Sequence, residues 1–429
     1  VGRNRLFVLG MMFTLVFIGI TGRLANLTIF APQTEGSSLR FSNYKNGPVT
    51  RADILDRNGI SIATSLPTTS LYADPTKILD VHEVVHRLSS VLPNLSRENL
   101  TKRLKLKSRF IWLARNLSPQ LEFEINRLGL PGIKFLRSEK RVYPHGRLGA
   151  HILGLTNVDG KGVAGVEKFF DSYLSGGTGP LQLSLDTRIQ AILHEELEKT
   201  VGKFTAIGAA GVIMDVQTGE ILAMVSLPDY DPNFPNKIEE GTSFNRATKG
   251  VYEMGSTFKL FTVAAALDMN IINFSHSYDA RKPIRIARFY INDFHPQNRW
   301  LSVPEIILHS SNIGAAKIGE DIGTKNQKDY FGRFGLLVPP KLELPEVGAP
   351  LVPRSWRPIN TMTISYGHGI AVSPIQLISG VSSIVNGGIK ISPTLVKQGK
   401  KRANGRKILS NQASLDVRRL MRLVVKQGT

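Results

Sequence analysis

The stretch Gly255-Ser-Thr-Phe-Lys-Leu-Phe-Thr-Val-Ala-Ala-Ala-Leu267 constrains the fold more than any other part of the chain. Its spacing is helical, and Phe258, Leu260, Phe261, Val263, Ala264 and Leu267 make it apolar almost all round. A helix without a polar face must be enclosed by other elements, so the chain has to build a core around it. One cation, Lys259, stands inside this run, and Ser256 stands at its head. A helix opening at Gly255 or Ser256 stacks Ser256 and Lys259 one turn apart on one face. The serine then lies at the positive end of the helix, where developing negative charge is favoured. Bringing a lysine from about 10.4 to about 7 takes roughly 4.6 kcal/mol, which burial among apolar groups can supply. Ser256 is therefore a candidate nucleophile and Lys259 its candidate base. Ser42-Asn-Tyr-Lys45 has the same spacing, but its polar surroundings offer nothing to desolvate the lysine.

Composition narrows the chemistry further. The 429 residues contain no Cys, which excludes disulfides, thiolate metal sites and a Cys nucleophile. With 42% hydrophobic and 21% charged residues the chain is long and apolar enough for two or three folded domains. Its net charge of +20 favours a polyanionic neighbour without choosing among nucleic acid, anionic lipid and acidic polymer. Leu6 to Gly22 carries no charge and spans roughly 25 Å as helix, near the lower limit for a bilayer crossing. No small-residue cleavage site follows it, so an uncleaved anchor is favoured over a signal peptide. Arg3 and Arg5 would stay cytoplasmic, leaving everything after about residue 31 outside the inner membrane and nucleic acid a poor partner.

Residues 31–50 read as a linker. Asp56-Arg-Asn-Gly59 reads as a turn between strands, and residues 80–92 and 118–128 have helical spacing. Asp186 caps an expected helix with Ile189, Ile192, Leu193 and Leu197 on its apolar face. Two apolar runs, 208–214 and 220–226, flank Asp215-Val-Gln-Thr-Gly219 as a hairpin with both strands well buried. Residues 415–425 have a helical pattern. The divisions expected are an anchor at 1–30, a mixed α/β front domain at 31–200, and a more regular domain at 201–429.

Three further motifs have competing readings. In Ser310-Ser-Asn312 the hydroxyl and amide could relay a proton and bind a substrate amide, although Ser-x-Asn alone is commonly a helix cap. His82-Glu-Val-Val-His86 matches a zinc-protease helix, but no third ligand pattern follows and Pro93 stops the helix, which favours an ordinary packed helix. The basic clusters at 102–107 and 400–402 read as solvated surface.

Taken together these residues resemble a class B penicillin-binding protein. Ser256-x-x-Lys259 with Ser310-x-Asn312 is part of the motif set of penicillin-binding enzymes. The resemblance extends through Arg51-Ala-Asp-Ile-Leu-Asp-Arg-Asn-Gly59, Arg141-Val-Tyr-Pro144, Ala150-His-Ile-Leu-Gly154, Gly165-Val-Glu167, Tyr252-Glu-Met-Gly255 and Tyr366-Gly-His-Gly369. The segment from Trp356 to Pro374 is more similar to the division-specific, septal branch than to the elongation branch. The resemblance implies an α+β fold: a membrane anchor, a pedestal domain, and a transpeptidase domain whose antiparallel sheet carries helices on both faces. It also implies roles. Ser256 attacks the penultimate D-alanine carbonyl of a peptidoglycan stem peptide, Lys259 is the base, Ser310 passes the proton to the leaving amine, and Asn312 holds the peptide. Beta-lactams would acylate the same serine. Membrane proteins of the division machinery are implied partners, and no metal or organic cofactor is called for.

One departure stands out. The family's Lys-Thr/Ser-Gly motif, on a strand beside the nucleophile, does not occur in the sequence, and Lys426-Gln-Gly-Thr429 only superficially resembles it. The expectation is a chain that stops before that strand, which in the family supplies one oxyanion-hole N–H worth about 10²- to 10³-fold in rate. Two alternatives to the enzyme follow: an inactive fragment serving as a division scaffold, and a beta-lactamase or sensor of the same fold.

Overall fold

Asp56 organises the first turn of the front region. In this computed structural model its carboxylate accepts from the backbone N–H of Asn58 (2.7 Å) and Ile60 (2.9 Å), and Gly59 takes a positive φ. The structure describes residues 11–21 in part and residues 50–93, 95–177, 179–286, 288–399 and 404–428. The linker, Lys400 to Arg402, and most of the expected anchor lie outside the described residues. The described positions between Met11 and Thr21 are helical, and no helix among the described residues is long and apolar enough to cross a membrane. By internal contacts the chain divides into Val1–Pro48 and Val49–Thr429.

The Asp56 turn joins β1 (Ile54–Leu55) to β2 (Ser61–Ala73), which runs antiparallel to both β3 (Ile111–Leu117) and β4 (Ile133–Val142). Beyond β1 lies β5 (Leu181–Gln182), in parallel register. Three capped helices cover the β2–β4 end: α1 (Val81–Val91), α2 (Arg97–Leu104) and α3 (Pro119–Arg127). Asp80, Ser96 and Ser118 accept the free N–H groups at their starts. Val84, Val85, Leu88, Leu100, Leu104 and Ile125 pack on Leu71, Ala73 and Leu113.

Helix α4 (Thr187–Phe204) starts at Asp186 as expected, but its buried face differs from the expected one. Ile192 is 64% exposed, whereas Gln190 is buried. The reason is a hydrogen-bond demand: the Gln190 amide donates to Met224 O and accepts from Met224 N, both at 2.8 Å. A polar side chain thus satisfies the neighbouring strand backbone, which the helix could not do with Ile or Leu.

Met224 belongs to the hairpin β6 (Ala209–Met214) and β7 (Ile221–Leu227). Only β7 is well buried, and in β6 Ile213 is 37% exposed. This corrects the expectation of two buried strands. Among the described residues the sheet here is the two-stranded hairpin alone, so β6 has a strand neighbour on one side only. Helices nonetheless lie on both of its faces. Gly211 approaches Leu193 and Leu197 of α4, while Ala210 and Val212 share a cluster with Ile375 and Ile378. That cluster also contains Ile54, Ile152 and Leu183, so the front and back halves of 49–429 share a core.

The apolar run becomes α5 (Lys259–Asp268), enclosed by α6 (Val303–Leu308), α7 (Asn312–Ile322), α8 (Thr324–Phe334), α9 (Pro374–Val385) and α10 (Asn411–Gln427). Phe258, Phe261, Phe331 and Phe334 form its centre, with ring centroids 5.1–6.4 Å apart in tilted and edge-on pairs.

A buried ionic knot ties the entering chain to the front region. Glu167 is 0% exposed and takes Arg51 Nε and Arg141 Nε on its two oxygens, each at 2.7 Å. Arg51 reaches on to Asp171 at 2.7 Å. Removing the central charge leaves two guanidiniums under-compensated in the interior, which typically costs about 3–5 kcal/mol. Glu167→Gln should accordingly lower the urea midpoint sharply, whereas Lys199→Ala, which breaks only exposed pairs with Glu195 and Glu196, should leave it in place. Equal midpoints for Glu167→Gln and the parent would contradict this account.

Candidate active site

Residues Gly255–Phe258 form a 3-10 turn and the α-helix begins only at Lys259, so the expected α-helical start is corrected. The tighter turn has a direct consequence. With three residues per turn, side chains at i and i+3 eclipse, and Ser256 comes directly above Lys259. Lys259 Nζ donates to Ser256 Oγ at 3.0 Å.

The third member arrives from the α6–α7 junction. Helix α6 closes through Ser310 N–H to Ile307 O and Ser311 N–H to Ile306 O, which turns Ser310 into the left-handed region at φ +53°. That conformation is unusual for serine and is held by its surroundings. Lys259 Nζ donates to Ser310 O at 2.5 Å and lies 2.8 Å from Ser310 Oγ, which in turn donates to Ser256 Oγ at 2.9 Å. Two hydroxyls and one amine form a closed triangle.

Exposure differs across this triangle. Ser256 is exposed, whereas Lys259 is 2% exposed. Burial pushes the Lys259 amine from its ordinary value down to about 8, and the negative charge of Asp293 works against that fall. The amine is therefore roughly a tenth neutral at pH 7, less than a shift to 7 would give.

Asn312, expected to hold the substrate peptide, lies two residues beyond Ser310. It is the first residue of α7, and its Nδ2 donates to Asn292 O at 3.0 Å. Ser311 serves as the helix cap, accepting from Gly314 N–H, so the capping reading of this segment and the clustering of Ser310 both hold.

Several residues that position the site were given no role by sequence reasoning. Gly367, at φ +82°, lies so close to the residue before the nucleophile that a Cβ would stand 2.0 Å from Gly255 O. Glu253 accepts from Gly369 N–H at 2.9 Å, and Tyr252 and Val372 exchange backbone hydrogen bonds at 3.0 Å. The loop 366–372 thus clamps the approach to Ser256. Asp293 accepts from Ser311 Oγ (2.7 Å) and Ile313 N–H (2.9 Å) across a long sequence interval. Tyr366-Gly-His-Gly369 was a visible motif, but the Asp293 pairing left no local signal.

His82 and His86 face solvent, and Glu83 pairs with Arg87 at 2.8 Å. Among the described residues no group of His, Asp and Glu is arranged to hold a metal ion. In the basic cluster, Lys102, Lys105 and Lys107 are exposed, whereas Arg103 donates to Trp112 O.

Known families account for both parts of the chain. Residues 209–429 match the penicillin binding protein transpeptidase domain, and residues 46–203 the penicillin-binding protein dimerisation domain. The chain is 36% identical to the probable peptidoglycan D,D-transpeptidase FtsI of Caulobacter vibrioides, over 99% of this chain and 72% of that protein. It is 32% identical to the peptidoglycan D,D-transpeptidase FtsI of Escherichia coli K12, over 86% of this chain and 68% of that protein. Identity to the probable peptidoglycan D,D-transpeptidase PenA of Neisseria gonorrhoeae is 32% over 89% of this chain and 71% of that protein. An α+β chain with both domains, and with a Ser-x-x-Lys pair in hydrogen-bond contact, belongs to the class B penicillin-binding proteins.

Proposed function

We propose that this chain is a peptidoglycan D,D-transpeptidase that cross-links stem peptides during septal wall synthesis, through an acyl-enzyme on Ser256. The observation that carries the reading is the buried Lys259 amine held between two hydroxyls, one of them exposed. Neutral Lys259 takes the Ser256 proton as Ser256 Oγ bonds to the penultimate D-alanine carbonyl carbon. The C–N bond to the terminal D-alanine then breaks, and the proton leaves on its amine through Ser310. An amine from a neighbouring stem attacks the ester, forms the new amide and restores the Ser256 hydroxyl. Asn312 steadies the donor peptide. Beta-lactams present a similar carbonyl to the same serine.

The rest of the chain serves delivery. Leu6 to Gly22 anchors it in the inner membrane, with Arg3 and Arg5 cytoplasmic and the bulk periplasmic. The pedestal, residues 31–200, meets membrane proteins of the division machinery, and 201–429 carries the chemistry. These assignments rest on the sequence pattern and on the names of the relatives.

A fluorescent penicillin tests the reading. The folded protein should take covalent label on the peptide containing Ser256, and Ser256→Ala should abolish it. A folded protein that takes no label would overturn the enzyme in favour of a scaffold, and rapid release of the label would favour a beta-lactamase or sensor.

Burial of Lys259 also makes a stability prediction. Its folded value, about 8, lies below the ordinary lysine value, so the unfolded chain binds more protons and stability rises with pH between the two. Lys259→Met should therefore be inactive yet more stable than the parent at pH 7, with the advantage shrinking as pH climbs from about 8 to about 10. Denaturant titrations at several pH values read this out, and a variant less stable at pH 7 would contradict it.

A further inference from the structure

We infer that Asp293 is a positioning residue for the Ser256–Lys259–Ser310 triangle: it clamps the Ser310 turn from outside and supplies the anion that stabilises Lys259 when the amine takes up a proton. The inference deepens the transpeptidase reading and rests on it for its catalytic meaning, while its structural content is independent.

The clamp is visible in the hydrogen bonds. Asp293 follows the strand Phe289–Ile291 and reaches across to the start of α7, where Oδ2 accepts from Ser311 Oγ and Oδ1 from Ile313 N–H. Ser311 Oγ meanwhile caps Gly314 N–H, so one carboxylate and one hydroxyl share the free donors of the first helical turn. A carboxylate there also meets the positive end of α7. The residue immediately before this cap is Ser310, whose left-handed backbone aims its hydroxyl and carbonyl at Lys259. The adjoining Asn292 receives the Asn312 amide, so the same short segment is bonded at three points to the 311–313 backbone and side chains.

The charge argument follows from what surrounds the amine. Lys259 donates to Ser256 and Ser310, both neutral. On the elements packed about α5, Lys317 donates to Asp279 O, Asp321 accepts from Tyr278, and Asp268 accepts from Tyr330. Asp329 and Asp416 pair with Arg333 and Arg419 on their own helices, and Glu253 pairs with His368. Among the described residues Asp293 is the acid whose negative charge bears on Lys259, where it favours the ammonium form. The arrangement shares one part of the logic of a carboxylate behind a histidine base: the charge stabilises the cation produced, without the carboxylate itself taking the proton.

Two substitutions separate the clamp from the charge. Asp293→Asn keeps an acceptor for Ile313 N–H and removes the anion; Asp293→Ala removes both. Competitive acetylation of Lys259 across pH, read by mass spectrometry, should give a lower midpoint for Asp293→Asn than for the parent. Above both midpoints its penicillin acylation rate should fall roughly threefold to tenfold, less than the about 10²–10⁴ expected for losing a base outright. Hydrogen exchange over the peptide spanning 305–320 should quicken in Asp293→Ala and stay near the parent in Asp293→Asn. An unmoved midpoint, or unchanged exchange in Asp293→Ala, overturns the inference. The midpoint and exchange readings need no acylation. A chain that never labels at Ser256 but shows both effects would sink the transpeptidase reading and leave the placement of Asp293 standing.

Discussion

A lysine amine out of reach of water, with hydroxyls for neighbours, is the constraint on which the rest of this molecule depends. Left in solvent, Lys259 would stay protonated and could take no proton from Ser256. Burial alone would leave an unpaired amine in an apolar core, a costly state. The structure resolves this by giving the amine three acceptors, Ser256 Oγ and both oxygens of Ser310, so the desolvated group remains hydrogen-bonded in either protonation state. The large aromatic cluster around α5 supplies the desolvation, and the loops at its head supply the acceptors.

That division of labour explains why the fold is built as it is. The core of Phe258, Phe261, Phe331 and Phe334 fixes the helix to its neighbours, so the position of Lys259 is set by packing rather than by its own flexible side chain. Ser256 stays at the surface because the 3-10 turn lifts it clear of that core. Rigid elements therefore carry the amine, while turns carry the two hydroxyls. The junctions that hold those turns are unusual backbone: Gly255 and Gly367 at positive φ and in contact, and Ser310 in the left-handed region.

Much of this was legible in the residues alone. Asp186 sits at a helix start for a local reason, residues 118–128 carry helical spacing, and the enclosed helix follows from an apolar pattern with no polar face. The pairing of Ser256 with Lys259 is likewise local, because three-residue spacing brings the two together in either kind of helix. Contacts set by distant neighbours were not legible. Gln190 turns inward on a helix whose expected buried face was Ile189, Ile192, Leu193 and Leu197, since a strand arriving later in the chain needs its amide. Asp293 stands in a polar stretch, and its value appears only when α7 folds against it. The hairpin strand β6 reads as buried by composition, yet burial depends on what lies beside it.

The central claim is that neutral Lys259 activates Ser256, and the pH dependence of Ser256 acylation by a penicillin tests it most directly. The account predicts a rate that climbs about tenfold per pH unit on the acid side, bends near pH 8 and levels off above it. A rate on folded protein that is flat from about pH 6 to pH 10, or that falls as pH rises, would contradict it.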